Sequence, residues 1–301
     1  MARDEPGGGA RVPALVVHGG AGADPTEGRD EVRGGLGDAV AAGWQVLAGG
    51  GAALDAVEAA VRVLEDHPRF NAGRGSVLST AGAVEMDASI MEGDRLRCGA
   101  VAAVTRVANP ITVARRVLED GRHVLLVGEG AEAFARAAGV PACDPATLVT
   151  ERQRRRLAEQ RARLAVGGGT VGAVALDRRG TAAAATSTGG VAGKLPGRVS
   201  DSALIGCGTY ADSTLGAVSC TGSGEAIIRV VLGRRALDYL KEADDAVYAA
   251  RVAVDLLVEE GGGSGGLILL DWRGRMGWAH STPFMPVAWM SPALVAPRLE
   301  R

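Results

Sequence analysis

Cysteine is sparse. The four thiols, Cys98, Cys143, Cys207 and Cys220, form no CxxC pair. They are too few to staple a chain of 301 residues, so buried free thiols in a reducing cytoplasm are expected. HExxH is missing too, which leaves no recognisable catalytic zinc centre. No surplus of one charge exists: 33 Lys plus Arg face 35 Asp plus Glu, a net charge of −2. Near-neutrality argues against a dedicated binder of nucleic acid or of anionic membranes. Lysine is almost absent, with only Lys194 and Lys241, a bias best ascribed to codon usage. No apolar run reaches 18 uncharged residues, so no membrane-spanning helix is expected. The first apolar run, Ala14 to Val17, is too short for a signal-peptide core, and a cytoplasmic location follows as the expectation. Aromatics are 3%, but 47% hydrophobic and 23% charged residues rule out wholesale disorder.

Glycine, by contrast, is abundant: 45 residues, about twice the usual share of roughly 7%. There is no period of three, which excludes collagen. Six short segments (18–23, 70–75, 167–172, 189–197, 221–224 and 261–266) hold 20 of the 45. The excess is local, at places where a backbone turns sharply or approaches a ligand closely.

Length allows two domains or one large one. Ala14–Val17 reads as a buried strand. Leu54, Val57, Val61 and Leu64 recur at helical spacing over 52–66, ended by Pro68. Strands are predicted at 84–91 and 97–107, joined at Gly93-Asp94. Asn109-Pro110 opens a helix to about Glu119. A strand at 123–127 and a helix at 130–138 follow. Residues 151–165 read as a helix with six arginines against two glutamates, a solvated face rather than a nucleic-acid site. A hairpin is predicted from 170–176 and 181–188, then a strand at 216–220 and helices at 224–240 and 244–259. Strands at 267–271 and 275–280 are expected to close the fold, and the tail after His280 is not diagnostic. Strands in blocks and helices in pairs disfavour a doubly wound sheet and fit layered sheets with helices outside.

Three motifs fail on inspection. Gly20 starts G-A-G-A-D-P, which lacks the third glycine of a dinucleotide site. Leu195 follows Gly193-Lys194 where a P-loop needs Ser or Thr. Gly262-Gly-Ser-Gly-Gly266 matches G-x-S-x-G, but a helix precedes Ser264 and a strand follows, the reverse of a nucleophile elbow.

Gly169-Thr170-Val-Gly-Ala-Val-Ala-Leu-Asp177 holds the chemistry. Thr170 opens a strand after a triglycine stretch. Cutting after Gly169 would give Thr170 a free α-amine, of pKa about 7.7–8.0, beside its own hydroxyl. One residue then supplies nucleophile and base. The small Gly169 would let the hydroxyl reach the preceding carbonyl for an N-to-O acyl shift.

This segment resembles the plant-type L-asparaginases, or isoaspartyl peptidases, which are N-terminal-nucleophile hydrolases. The resemblance runs from about Ala14 to Asp271. It is carried by His18-Gly-Gly-Ala-Gly22, Phe70-Asn-Ala-Gly73, Thr186-Ser-Thr-Gly-Gly190, Lys194-Leu-Pro-Gly-Arg-Val199, Asp201-Ser202, Ser219-Cys-Thr-Gly222 and Gly262-Gly-Ser-Gly-Gly266. Ser200 and Ala203 depart from it, standing where members often have Gly and Pro.

The resemblance implies a four-layer αββα sandwich, one domain over 1–301, self-cleaved into chains 1–169 and 170–301. It implies Thr170 as nucleophile, Thr188 beside it, and Thr221 with Gly222 as oxyanion hole. Arg198 and Asp201 would grip the substrate's α-carboxylate and α-ammonium, with Gly224 contributing backbone. Gly169 and Asn71 would serve processing. Backbone carbonyls of Leu64, Glu65, His67, Phe70, Ala72 and Arg74 would hold a structural sodium ion, with no organic cofactor. The implied substrates are L-asparagine and β-aspartyl dipeptides, and the implied assembly is a homodimer of processed heterodimers. No nucleic-acid or membrane partner is expected. Alternatives are a glycosylasparaginase of the same fold, a silent unprocessed member acting as a binding protein, and a serine hydrolase using Ser264, His280 and an Asp.

Overall fold

A computed structural model describes residues 11–22, 28–163 and 169–300. The N-terminal ten residues, Ala23, Gly167 and Gly168 lie outside that range. The elements in chain order are β1 (Ala14–His18), α1 (Arg29–Ala48), α2 (Ala53–Asp66), β2 (Met86–Glu92), β3 (Arg97–Val104), α3 (Pro110–Asp120), β4 (Leu125–Val127), α4 (Gly128–Ala137) and α5 (Glu151–Arg163). There follow β5 (Val171–Leu176), β6 (Ala182–Thr188), β7 (Thr209–Asp212), β8 (Gly216–Gly222), α6 (Gly224–Val230), α7 (Leu232–Ala243), α8 (Ala246–Glu259), β9 (Gly265–Asp271), β10 (Met276–His280), β11 (Val287–Met290) and β12 (Arg298–Leu299).

The strands form a larger sheet, β12-β11-β1-β5-β6-β2-β3-β4, and a smaller one, β10-β9-β8-β7. Among the strands of the described residues, only β3 and β4 pair in parallel. Side-chain alternation along each strand explains how the sheets bury themselves. On β1, Leu15 and Val17 face a core shared with Val57 and Val61 of α2, while Ala14 and Val16 face the other way. That second core joins Val174, Leu176 and Ala184 of the larger sheet to Ala217, Ile268 and Leu270 of the smaller one. On the far face of the smaller sheet, Val218, Leu267 and Leu269 pack on Leu237 of α7 and Ala250 of α8. β5 and β6 are buried along their whole length. Strands covered on both faces read as continuous apolar runs, which is why Ala182–Ala185 shows no polar alternation.

Several expectations need correction. β11 and β12 follow the strands expected to close the chain, and β11 pairs with β1. β7 is also additional. α1 went unrecognised because Gly34, Gly35, Gly37 and Gly43 blur its helical signal. Gly43 permits close packing, since a Cβ there would sit 2.8 Å from both the Ala56 carbonyl of α2 and Leu15 Cδ2 of β1. The single helix expected at 224–240 is two, broken at Val231 with φ of 51°. The arginine helix α5 is only partly a solvated face. Its Arg152 Nη2 donates to the Arg69 carbonyl (2.7 Å), and Gln153 Nε2 donates to the Gly75 carbonyl (2.7 Å).

Candidate active site

Thr170 stands directly before β5, in the middle of the larger sheet, and is buried. The carbonyl oxygen of Gly169 accepts two hydrogen bonds, from Asn71 Nδ2 at 2.6 Å and Thr188 Oγ1 at 2.8 Å. Both donors are locally fixed. Asn71 Nδ2 also donates to the Gly190 carbonyl (2.7 Å), while its Oδ1 accepts the Val77 N–H (2.7 Å). That pattern admits only one orientation of the amide. Thr188 ends β6, and its oxygen accepts the Gly190 N–H (2.9 Å), leaving the hydroxyl hydrogen for Gly169.

Thr170, Gly169 and Thr188 line a cleft with Arg198, Asp201 and Gly222. Arg198 Nε donates to Glu225 Oε1 at 2.9 Å. Arg198 Nη2 and Asp201 Oδ2 are buried and have no hydrogen-bond partner among the described residues. A cationic tip and a carboxylate oxygen left unsatisfied in one cleft can receive a carboxylate and an ammonium. Burial pushes the Asp201 carboxyl up to about 7, with Arg198 opposing the shift. Gly224, the first residue of α6, closes this corner. A Cβ there would come within 2.7 Å of Arg198 Nη2 and 2.8 Å of Asp201 Oδ1. Ser200 has φ of −92°, a backbone conformation that needs no glycine.

At the end of β8, Thr221 Oγ1 accepts the Ala21 N–H at 3.0 Å, which leaves its own hydrogen to donate elsewhere. Gly222 follows with φ of 137°, a conformation that favours glycine. Behind it, the Gly262–Gly266 turn packs closely: Ser223 N–H donates to the Ser264 carbonyl (2.8 Å) and Ser264 N–H to Ser223 Oγ (3.1 Å). Ser264 thus buttresses this corner from a helix-to-strand turn, and His280 Nδ1 engages the Thr282 carbonyl at 2.7 Å.

Beneath the cleft the sheets enclose a chain of hydroxyls that motif reading missed. Ser89 Oγ lies 2.8 Å from Thr209 Oγ1, Thr209 Oγ1 2.6 Å from Thr186 Oγ1, and Thr186 Oγ1 2.8 Å from Ser219 Oγ. Ser219 Oγ lies 2.9 Å from His18 Nε2. Burial lowers the His18 pKa to about 3, and an interaction with the Thr170 backbone offsets only part of this. His18 is therefore a neutral ring. His18, Thr186 and Ser219 lie in motifs quoted above but carried no assigned role, and Ser89 and Thr209 read as ordinary strand positions. Glu225 was missed as well, although it follows Gly224 directly.

Leu64, Glu65, His67, Phe70, Ala72 and Arg74 gather at the end of α2 and in the loop carrying Asn71. The carbonyls of Leu64, Glu65 and His67 accept the N–H groups of His67 (3.3 Å), Arg74 (2.7 Å) and Phe70 (3.3 Å). The His67 ring is otherwise engaged: Nδ1 accepts the Arg69 N–H at 3.3 Å.

A family model described as "Asparaginase" matches residues 11–295. This chain belongs to the asparaginase family. The match extends past Asp271 to take in β11. Among relatives of this asparaginase-family chain is a Mus musculus protein named isoaspartyl peptidase/L-asparaginase, 48% identical over 91% of this chain and 86% of its own length. A Homo sapiens protein of that name is 46% identical over 92% of each chain. A Pyrococcus abyssi protein named plant-type L-asparaginase is 45% identical over 94% of this chain and 98% of its own.

Proposed function

We propose that this hydrolase converts L-asparagine to aspartate and ammonia, and cleaves β-aspartyl dipeptides, using Thr170 freed by self-cleavage after Gly169. The observation that carries this reading is the Gly169 carbonyl, held by Asn71 and Thr188 at the mouth of a cleft whose Arg198 and Asp201 tips have no hydrogen-bond partner among the described residues. The relatives' printed names supply the substrates.

In the processing step, Thr170 Oγ attacks the Gly169 carbonyl carbon and its proton passes to the departing nitrogen. Negative charge develops on the Gly169 oxygen, where Asn71 Nδ2 and Thr188 Oγ1 already donate. Prearranged donors of this kind are typically worth about 10²–10³ in rate each. The C–N bond breaks, an ester forms on Thr170, and water releases the Gly169 carboxylate. Thr170 then carries a free amine.

In turnover, Arg198 pairs with the substrate α-carboxylate and Asp201 with its α-ammonium. The Thr170 amine takes the hydroxyl proton as Oγ attacks the β-carbonyl. The Thr221 hydroxyl and Gly222 N–H receive the oxyanion. The proton passes to the leaving nitrogen, ammonia or an amino acid departs, and water hydrolyses the β-aspartyl ester.

We read the architecture as the four-layer αββα sandwich of N-terminal-nucleophile hydrolases, one domain of two chains, 1–169 and 170–301. Three successive apolar cores support this reading. The carbonyls of the 64–74 loop are hard oxygen donors suited to sodium, which would stiffen the loop bearing Asn71. A homodimer of processed heterodimers and a cytoplasmic location complete the proposal, the latter supported by four free cysteines.

The test is a comparison of L-asparagine, a β-aspartyl dipeptide and glycosylasparagine with wild type and Thr170→Ala. Turnover of the first two, lost in Thr170→Ala, is expected. A marked preference for glycosylasparagine would favour the glycosylasparaginase alternative, and activity surviving Thr170→Ala would reject the nucleophile.

A further inference from the structure

Met86, Ala88 and Ile90 of β2 face the helix-side core. Alternation therefore sends Asp87 and Ser89 to the opposite face, with Glu85 one step upstream. All three are buried, Asp87 and Ser89 completely. Buried polar groups on a strand are costly unless partnered. Each of the three has a partner in one short stretch, 197–202. Gly197 N–H donates to Glu85 Oε2 (2.7 Å), Ser200 N–H donates to Asp87 Oδ2 (2.8 Å), and Ser89 Oγ donates to the Ser202 carbonyl (2.6 Å). Arg198 and Asp201 sit between these three ties.

The strand side is itself anchored. Asp87 Oδ1 accepts the Ala103 N–H (2.9 Å), beside the irregular register of β2 on β3. Lys194, also buried, donates from Nζ to the Glu85 carbonyl (2.7 Å). Its desolvation lowers its pKa, and the nearby Asp87 and Glu85 carboxylates oppose that shift. Arg198 Nη2 and Asp201 Oδ2 have no hydrogen-bond partner among the described residues. Their placement therefore depends on the backbone that carries them and, for Arg198, on Glu225 at Nε.

We propose that Glu85, Asp87 and Ser89 are positioning residues, three teeth of a comb on β2 that set the Arg198–Asp201 turn to grip the α-groups of an amino-acid substrate. This rests on the reading of Arg198 and Asp201 given above. The comb acts through main-chain groups and touches no substrate.

Steady-state kinetics on L-asparagine test it, using purified Glu85→Ala, Glu85→Gln and Asp87→Asn proteins. Glu85→Ala removes the acceptor for Gly197 and is expected to raise KM roughly tenfold, with kcat within about threefold of wild type. Glu85→Gln keeps an acceptor oxygen and is expected to restore KM to within about twofold of wild type. Asp87→Asn turns one acceptor into a donor facing an N–H, so its KM rises at least as far. Self-cleavage, followed in parallel, stays at the wild-type rate in Glu85→Ala, because Asn71 and Thr188 are untouched. An unchanged KM in Glu85→Ala, or an equal defect in Glu85→Gln, overturns the comb. Failure of wild type to hydrolyse L-asparagine would instead count against the reading of the site. Calorimetric binding of L-aspartate then judges the comb: roughly tenfold weaker Kd in Glu85→Ala than in Glu85→Gln supports it, and equal Kd overturns it.

Discussion

Asn71 Nδ2 lies 2.6 Å from the Gly169 carbonyl oxygen, although 98 positions separate the two residues in the chain. This contact joins the loop after α2 to the bond that must break for Thr170 to gain a free amine. Replacing Asn71 with Ala is expected to slow self-cleavage by about 10²-fold or more, the typical loss for one oxyanion donor. Thr188→Ala removes the second donor and should act in the same direction, while Thr188→Ser keeps the hydroxyl and should cut faster than Thr188→Ala. Time courses on denaturing gels check both.

Gly224→Ala separates gripping from cutting. Its methyl would press on Arg198 Nη2 and Asp201 Oδ1. The expected result is normal self-cleavage with KM for L-asparagine raised at least tenfold. Delayed cleavage in this variant would show that the two functions are not separable.

The pH profile follows from Asp201. Burial raises its pKa to about 7, with Arg198 lowering it and Asp87 and Glu225 adding to the rise. Below that pH the carboxyl is neutral and pairs poorly with an ammonium; above it the carboxylate forms. Thus 1/KM for L-asparagine should increase with pH through about 7. The limb should be absent from kcat, where bound substrate holds Asp201 ionised, leaving the Thr170 amine to titrate there. An 1/KM profile flat from pH 5 to 9 contradicts the assignment.

His18 gives a pH dependence of stability with a defined sign. Its folded pKa is about 3 and the model-compound value is 6.5. The unfolded chain takes up a proton below about 6.5 and the folded chain does not. The stabilisation from a neutral buried ring is complete above 6.5 and is lost as pH falls toward 3, by at most about 1.4 kcal/mol per pH unit. Thermal melts at pH 7 and pH 5 should therefore converge in His18→Asn relative to wild type.

Val231 adopts φ of 51° at the α6–α7 junction and is exposed. A β-branched residue there carries strain of about 1–2 kcal/mol. Val231→Gly removes that strain and is expected to raise Tm by about 2 °C. A lower Tm would mean that the Val231 side chain contributes more by packing than its conformation costs.

Thr170 was legible from residue order, and Arg198, Asp201, Thr221 and Gly222 from the family resemblance. Thr170 after glycine, Arg198 with Asp201, and Thr221-Gly222 lie in short local patterns, and the structure brings all of them to one cleft or its edge. The α2 helix and the β5–β6 hairpin were equally clear, because apolar spacing and the turn at Asp177–Gly180 are local signals. What escaped notice was long-range. Asp87 and Ser89 look like ordinary strand residues until the Gly197–Ser202 turn is folded against them. β11 is short and finds its role only by pairing with β1, more than 260 positions earlier. α1 hides behind glycines, of which Gly43 packs closely on α2 and β1, so the glycine excess maps close-packed scaffold as well as cleft.

The central claim is that a cut before Thr170 creates the nucleophile. N-terminal sequencing of a preparation that hydrolyses L-asparagine tests it most directly. The account predicts a fragment beginning Thr-Val-Gly-Ala-Val, from Thr170 onward. An active preparation consisting only of uncut chain would contradict it.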